Sequence, residues 1–381
     1  MLKLNLDHNL DHNLARSNSG FSRAWWLQGV MIIITLAIAT CLTIVSATPT
    51  MAALPTKSAI KDPRIILRNA LPIDNEVIRD VQHTLEQMPR QANLKRWSSL
   101  KQDIDKISRT LTQNQAQLVA AVGSDRQNIL TEHLTSLNTA LVPLQEAIAI
   151  KDRNNVKALS EKALDYVGLV EADFIQAFPF AVPAAYANLP QLKGRALVEL
   201  ATEKGNATIL VDGYNAPVNA GQFVDLVQKG FYDGLTFTRA DENYYLQTGD
   251  PDGAADGYRD PKTGKYRTVP IEVRLPDQKV PTYGKTFEEQ GLSGTTSPVL
   301  PFAAFGTVAM AHPNDDPNAG SSQFFIYLFE SELTPAGLNL LDGNYTVFGY
   351  VTDGKETLDK LRLGDKILSA RVISGAENLI N

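Results

Sequence analysis

The spacing of apolar residues changes once along this chain, and that change divides it into two kinds of structure. From about Ile73 to Phe178 apolar residues recur in steps of three and four, the signature of amphipathic helices. Leu130, Leu134, Leu137, Leu141, Leu144 and Ile148 form one stripe, and Leu100, Ile104, Ile107, Leu111, Leu118 and Val122 another. Val156, Leu159, Ala163, Tyr166 and Val170 make a third; Ile73, Val77, Val81 and Leu85 make a shorter one before them. Gly123 ends one helix, Ser124 with Gln127 reads as a capping box for the next, and Asp152 separates the last two. Pro143, inside a stripe, predicts a kink or a restart. Four such segments joined by short turns predict an antiparallel bundle. His83 and His133 stand singly on different helices, which suits surface or packing roles and supplies no metal spacing.

Pro179, Pro183 and Pro190 mark a semi-rigid linker, after which the period falls to two. Ala196–Leu200 and Ala207–Val211 read as strands around a turn at Lys204-Gly205-Asn206. Pro217 opens one helix to about Lys229, with Phe223, Val224 and Val227 as its buried face and Gly230 at its end. Many short strands broken by Gly, Pro and Asp follow, which predicts a β-barrel or sandwich with one or two helices.

A chain of 381 residues has room for two domains, and 44% hydrophobic with 20% charged residues is ordinary globular composition. A net charge of −6 without a basic stripe excludes a nucleic-acid binder. No charged residue occurs from Trp25 to Ala47; basic Lys3, Arg16 and Arg23 precede this run and small residues (Ser46-Ala47-Thr48, Met51-Ala52-Ala53) follow it. That pattern predicts an export signal through residue 53 or an uncleaved N-terminal membrane anchor. Cys41 lies inside the run, and Thr40 before it is too large for a lipobox. A chain cleaved after Ala53 carries no cysteine, so its cores must hold it without disulfides.

Three clusters in the second half carry candidate chemistry. The first is Phe237-Thr238-Arg239 with Tyr244, Tyr245, Gln247 and Gly249-Asp250. Strand alternation places Phe237 and Arg239 on one face; Tyr245 and Gln247 share a face, and Tyr244 takes the other unless a bulge intervenes. The second is Ala309-Met310-Ala311-His312-Pro313 followed by Gly320-Ser321-Ser322-Gln323-Phe324-Phe325-Ile326, and the third runs from Leu341-Asp342-Gly343 through Tyr345 to Val347-Phe348-Gly349. In this order, from Gly194 to Asn381, they resemble the cyclophilin family of peptidyl-prolyl isomerases. The resemblance implies an eight-stranded closed β-barrel capped by two helices, with a proline pocket on its outer face and neither cofactor nor metal. By motif, Arg239 matches the catalytic arginine, Gln247 the glutamine that binds substrate backbone and Phe325 the pocket floor. Leu341 matches a side wall, and Ala311 with His312 the segment that pairs with the peptide. Phe237, Tyr244, Tyr245, Met310 and Tyr345 complete the expected substrate-binding set, and Gln323 is expected to bond backbone behind the Phe325 loop.

The chemistry fits those residue types. Rotation about a peptide bond costs about 18–20 kcal/mol because resonance keeps it planar. X–Pro bonds populate both isomers yet exchange in tens to hundreds of seconds. A catalyst therefore needs an apolar cup for the ring and a fixed donor for the pyramidal nitrogen of the twisted amide, and it needs no nucleophile, metal or proton transfer. Arginine supplies a permanently charged fork of donors.

This sequence departs from the family's pattern in several places. Thr238 replaces a His, Tyr345 replaces a His near the rim, and His312 stands where Asn is usual. Leu340 occupies the place of a Trp that contacts cyclosporin, which predicts weak binding of that drug. Asp241 and Glu242 are near enough to pair with Arg239, and the stretch from Gln247 to Ala311 is long. A helical domain before an exported cyclophilin resembles the thylakoid-lumen cyclophilins of plants and cyanobacteria, which assist photosystem II assembly. That implies a lumenal or periplasmic isomerase whose partners are proline-containing polypeptides, membrane-complex subunits among them. The alternative is a chaperone or assembly scaffold that uses the same pocket for binding alone. The expected boundaries are 1–53 for the export or anchor segment, 54–177 for the bundle, 178–192 for the linker and 193–381 for the isomerase domain.

Overall fold

The computed structural model describes residues 60–241, 244–329 and 339–381, all within one compact unit, Lys57–Asn381. The apolar run at Trp25–Ala47, Cys41 and the expected cleavage site lie outside the described residues. No helix among the described residues is long and apolar enough to cross a membrane.

The helical region begins with a short helix that the stripes do not announce, α1 (Pro63–Asn69), started by Pro63 and capped by the Asp62 carboxylate. Four longer helices follow: α2 (Glu76–Asn93), α3 (Trp97–Ala120), α4 (Gln127–Ala149) and α5 (Arg153–Asp173). Each packs on its sequence neighbour, and α2 also packs on α5, which closes a ring of four. The predicted stripes of α3, α4 and α5 line the shared core, while on α2 the stripe is Ile78, Val81, Leu85, Met88 and Ala92, with Val77 only half-buried. Asp152 caps α5, accepting from the Asn155 N–H at 3.1 Å. The expected capping box at Ser124 does not form; Gly123–Arg126 is a turn closed by Arg126 N–H to Gly123 O, and Arg126 occupies the cap without a side-chain bond. α4 runs unbroken past Pro143. His133 bonds the Asp173 carboxylate at 2.7 Å, joining α4 to the end of α5.

The second region is one curled sheet of eight antiparallel strands in the order β11-β2-β3-β10-β8-β9-β5-β4. These are β2 (Arg195–Thr202), β3 (Gly205–Asp212), β4 (Arg239–Asp241), β5 (Tyr245–Thr248), β8 (Thr307–Met310), β9 (Phe324–Tyr327), β10 (Val347–Asp353) and β11 (Ile367–Ser374). The sequence led us to expect a closed barrel, yet the end strands β11 and β4 do not pair along their length. The two ends meet only where Thr236 bridges Lys366 in the segment preceding β4. Two small ribbons complete the strands: β1 (Gln191–Leu192) with β12 (Leu379–Ile380), and β6 (Glu272–Val273) with β7 (Thr282–Tyr283). Of the two expected capping helices, α6 (Pro217–Gln228) is full length and α7 (Lys355–Leu358) is a single turn.

Alternation along the strands separates two cores. Val308, Met310, Phe324 and Ile326 face the concave side with α6 against them, whereas Ala309, Phe325 and Tyr327 face outward. α6 is buried on every side from Pro217 to Val227, not on one face. Gly221 lets the linker cross it, since a Cβ there would sit 2.4 Å from Pro190 O. The Glu272 carboxylate caps its N-terminus, accepting from Val218 N–H and Asn219 N–H at 3.1 and 3.0 Å.

The outward core extends beneath α1, whose Ile66, Leu67 and Ala70 pack with Phe302, Phe325 and Tyr350. Polar bonds tie α1 to both neighbours. Asn215 donates to Ala70 O at 3.2 Å, and Arg195, paired with Asp212 at 2.9 Å through Nε, also donates to Leu67 O. From the bundle side Arg79 donates to Arg68 O and Leu71 O, and pairs with the buried Glu171 at 3.1 Å. Desolvation pushes the Glu171 carboxyl up to about 7 despite that pairing. The Pro-rich linker is held against the second region: Phe178 stacks on Tyr214 after β3, and Tyr186 on Tyr283 of the β6–β7 ribbon.

Candidate active site

Strand register assembles the site. Arg239 on β4 lies opposite Gln247 on β5, Gln247 opposite Phe325 on β9, and Phe325 opposite Ala309 on β8. Four residues from four strands thus form one row on the outer face, each directly beside the next. The row opens into a cavity of about 850 Å³ whose lining includes Arg239, Tyr244, Tyr245, Gln247, Ala311, His312, Phe325, Leu341 and Tyr345. Every lining residue belongs to the second region; none comes from the described helices.

The floor and walls are aromatic. Phe325 is 8% exposed; Tyr345 meets it edge-on at 5.2 Å and Tyr245 at 6.1 Å. Beneath it Phe302 stacks nearly parallel, 8° and 5.9 Å away, and is itself fully buried. Phe302 is gripped at both backbone ends: its N–H donates to the Asp342 carboxylate at 2.7 Å and its carbonyl accepts from Asn339 Nδ2 at 3.0 Å. Desolvation raises Asp342 to about 7, and the backbone N–H groups of Phe302 and Asn339 pull the other way. Tyr345 is also raised by desolvation, which keeps its phenol neutral.

The polar half is prearranged. Gln247 Nε2 donates to Gln323 Oε1 at 2.7 Å, and Gln323 Nε2 donates to Asp256 O at 2.9 Å and to Asp250 at 3.3 Å. This chain fixes the Gln247 amide, and no donor among the described residues takes its carbonyl oxygen. The Arg239 side chain makes no ion pair or hydrogen bond with a described residue, and Glu242 lies outside the described residues. Asp250 is raised by desolvation and by Asp256, with Arg239 opposing.

Two expected binding residues lie elsewhere. Phe237 (1% exposed) and Met310 (2%) belong to the concave core and do not line the cavity. Phe237 precedes β4: its N–H bonds Asp365 O while the next N–H, from Thr238, bonds Gln247 O, so the chain changes partner strand there. The alternation that would place Phe237 beside Arg239 is broken at that change. Met310 points inward because the residue in register with the cavity row is Ala309. Tyr244 lies just before β5, in a turn closed by its N–H to Asp241 O, and so lines the cavity together with Tyr245. Sequence reasoning missed Phe302, Asn339 and the wall formed by Asp256, Gly257, Tyr266 and Thr268, all set by long-range contacts. It assigned Gln323 a backbone role; the Asp256 O bond is such a contact, but the same side chain also orients Gln247.

Residues 197–376 match the family described as cyclophilin-type peptidyl-prolyl cis-trans isomerase, and residues 62–175 match the PsbQ-like domain of isomerases described as CYP38-like. Over 331 residues, 87% of both chains, the sequence is 49% identical to a putative thylakoid lumen peptidyl-prolyl cis-trans isomerase of Synechocystis. The chain belongs to the cyclophilin-type peptidyl-prolyl cis-trans isomerases. It is also 43% identical, over 87% of its length and 78% of the relative's, to the chloroplastic isomerase CYP38 of Arabidopsis thaliana. Identity to the chloroplastic CYP37 of the same plant is 28% over 83% of this chain and 70% of the relative. The cyclophilin match and both higher-identity relatives agree on one activity, isomerisation of the peptide bond before proline. The helical region is shared with these relatives as well, since each match extends well beyond the isomerase domain.

Proposed function

We propose that the cavity beside β4, β5 and β9 is where this cyclophilin turns the X–Pro bond of lumenal protein clients. The observation that carries the reading is the register row Arg239–Gln247–Phe325 opening into an aromatic cup. The prolyl ring sits on Phe325 between Tyr245, Leu341 and Tyr345. Gln247 Oε1 accepts a client N–H, and the His312 N–H, which has no partner among the described residues, donates to a client carbonyl. Arg239 donates to the proline nitrogen as it becomes pyramidal, an interaction the planar amide does not offer. The protein groups move no proton, so only positioning and electrostatics are required.

The same reading divides the chain at residues 53, 177 and 192 as the sequence suggests, and draws the sheet ends together through the Thr236–Lys366 bridge into a barrel. The names of the relatives support a thylakoid-lumen location. The match of the helical region to a PsbQ-like domain motivates the further reading that clients include subunits of photosynthetic membrane complexes. The test is a proline-isomerisation assay on an Ala-Pro peptide with the full chain. Arg239→Ala should lower kcat/KM by about 10²-fold or more, the usual cost of removing a transition-state donor. Its stability should stay within about 0.5 kcal/mol, since the side chain is exposed and bonds no described residue. Equal turnover in the variant refutes the assignment, and an inert wild type that still binds proline peptides would leave a scaffold that uses the pocket for binding alone.

A further inference from the structure

We propose that the His312 side chain is a positioning residue that ties the two rims of the cavity together, and does so fully only as the imidazolium. The proposal rests on the cavity being the isomerisation site and adds to it the device that holds its shape. One rim is the segment Ala311–Pro313 leaving β8, anchored where Ala311 N–H donates to Gln323 O. The other is the loop Leu341–Tyr345. The imidazole lies between them, with Nδ1 2.8 Å from Pro313 O and Nε2 2.9 Å from Asn344 O. Its face stacks on Tyr345 at 4.5 Å and 22°, and Tyr345 stands edge-on over the floor residue Phe325.

Both contacts of the ring are to carbonyl oxygens, which only accept. A neutral imidazole has one N–H, so in either tautomer one ring nitrogen turns a lone pair toward a carbonyl. The imidazolium donates to both. When the proton leaves, the contact to Asn344 is the one that yields, because Pro313 is adjacent in the chain and moves with the ring. Asn344 is the hub of its loop: its N–H bonds Leu341 O, its Nδ2 bonds Leu340 O at 2.9 Å and its Oδ1 accepts from Glu288 N–H at 3.3 Å. Releasing it loosens Leu341 and Tyr345 together, the two walls of the cup.

The groups around the ring do not assign its charge to a simpler cause. Tyr345, stacked on it, stays neutral because burial raises its phenol. No described carboxylate lies within ion-pair distance of the imidazole. The charged residues lining the same cavity are Arg239, Asp250 and Asp256, with Tyr244, Tyr245 and Tyr266 as further titratable groups. Asp315 and Asp316 follow in the chain, where Asp316 accepts from Asn318 N–H. Glu288 and Glu289 lie on the segment that touches Asn344, with Glu289 bonded to Thr286. A cation on the Tyr345 face is favoured by the ring quadrupole, so stacking and hydrogen bonding act in the same direction.

The clamp orders surfaces that hold substrate in ground and transition state alike, so its loss falls on KM and spares kcat. The experiment measures both constants on a proline peptide between about pH 5 and 8, where histidine changes charge. It uses the full chain as wild type, His312→Asn and His312→Gln. The wild type should show KM rising about two- to tenfold as the pH increases, the worth of one hydrogen bond, and both variants should lose that rise. Nitrogen NMR of the ring is read in parallel and needs no activity. At the acid end both ring nitrogens should be protonated, and the Tyr345 resonances should shift in step with their titration. A pH-dependent KM that persists in both variants overturns the proposal. So does a ring that carries a single proton throughout, or a Tyr345 signal that ignores it. If the wild type proves inert at every pH, the site reading falls while the NMR still decides the clamp.

Discussion

Replacing Asp342 by asparagine should change how the stability of the isomerase domain depends on pH. Asp342 is buried under the cavity floor and accepts the Phe302 N–H at 2.7 Å and the Asn339 N–H at 3.3 Å. Desolvation raises its carboxyl from an ordinary 3.8 to about 7. Because the folded value lies above the unfolded one, the folded state binds the proton more tightly. The group's stabilisation is thus complete below about pH 4 and fades as the pH rises through about 7. At 1.36 kcal/mol per unit the linkage amounts to about 2 to 3 kcal/mol between about pH 5 and 8, to order of magnitude. Asparagine has nearly the same shape and cannot titrate. It also turns an amide N–H₂ toward one of the two backbone donors, which costs about 1–3 kcal/mol.

The assay is urea unfolding at several pH values, with two probes. All three tryptophans, Trp25, Trp26 and Trp97, lie outside the isomerase domain, so the near-ultraviolet dichroism of the tyrosines reports mainly that domain and Trp97 fluorescence reports the bundle. The gap between wild type and Asp342→Asn should narrow by about 2 to 3 kcal/mol from about pH 5 to 8 in the tyrosine signal, with no such change in the Trp97 signal. A gap that stays constant would refute the reasoning, because it would mean that folded Asp342 is already ionised at about pH 5, with its hydrogen-bond donors offsetting desolvation.

Arg239→Lys should lose nearly as much kcat/KM as Arg239→Ala, since an ammonium cannot present the planar fork; recovery of most of the activity would count against a directional donor. Arg79→Ala strands Glu171, which is fully buried with one carboxylate oxygen lacking any partner. It should cost about 3–5 kcal/mol in the Trp97 signal, and a cost below about 1 kcal/mol would mean that water reaches the pair. Leu340→Trp should increase cyclosporin binding by calorimetry, because Leu340 is 75% exposed beside the cup and an indole there has room to lie on a ligand; unchanged affinity would mean the rim geometry differs from the family's.

The residues that could be read from sequence were those whose partners are near in sequence or fixed by a strict period. The α3 and α4 stripes are an example, since a helix face needs no information beyond its own residues. α1 shows the opposite: its seven residues have no stripe long enough to detect, and the helix and its C-cap are held by Arg195, Asn215 and Arg79 from three other segments. The site divides in the same way. Arg239, Gln247 and Phe325 could be placed because motif order carries them, but their adjacency is a property of strand register that no single segment encodes. Phe237 was misplaced by extending the alternation one residue across a change of partner strand.

The parts that escaped sequence reading share a physical cause, and it bears on how the site works. Phe302 and Asn339, and the side-chain contacts of Gln323 and His312, touch the candidate row from behind or from its rim, through hydrogen bonds or ring contacts rather than through a period. Catalysis by positioning alone places its demands on such residues, because a donor or cup displaced by about 1 Å loses much of its effect. Arg239 itself is held by no described side chain, so its aim depends on β4, a strand of three residues paired on one side only. On the proposed reading, client binding completes the ordering of the guanidinium. The other groups have side-chain partners beforehand: Gln247 has Gln323, Phe325 has Phe302, and Tyr345 on the rim has His312. A site so divided, with prearranged acceptors and cup but an arginine set by its ligand, should discriminate clients by how well they seat Arg239. Turnover would then vary more between peptides than affinity does.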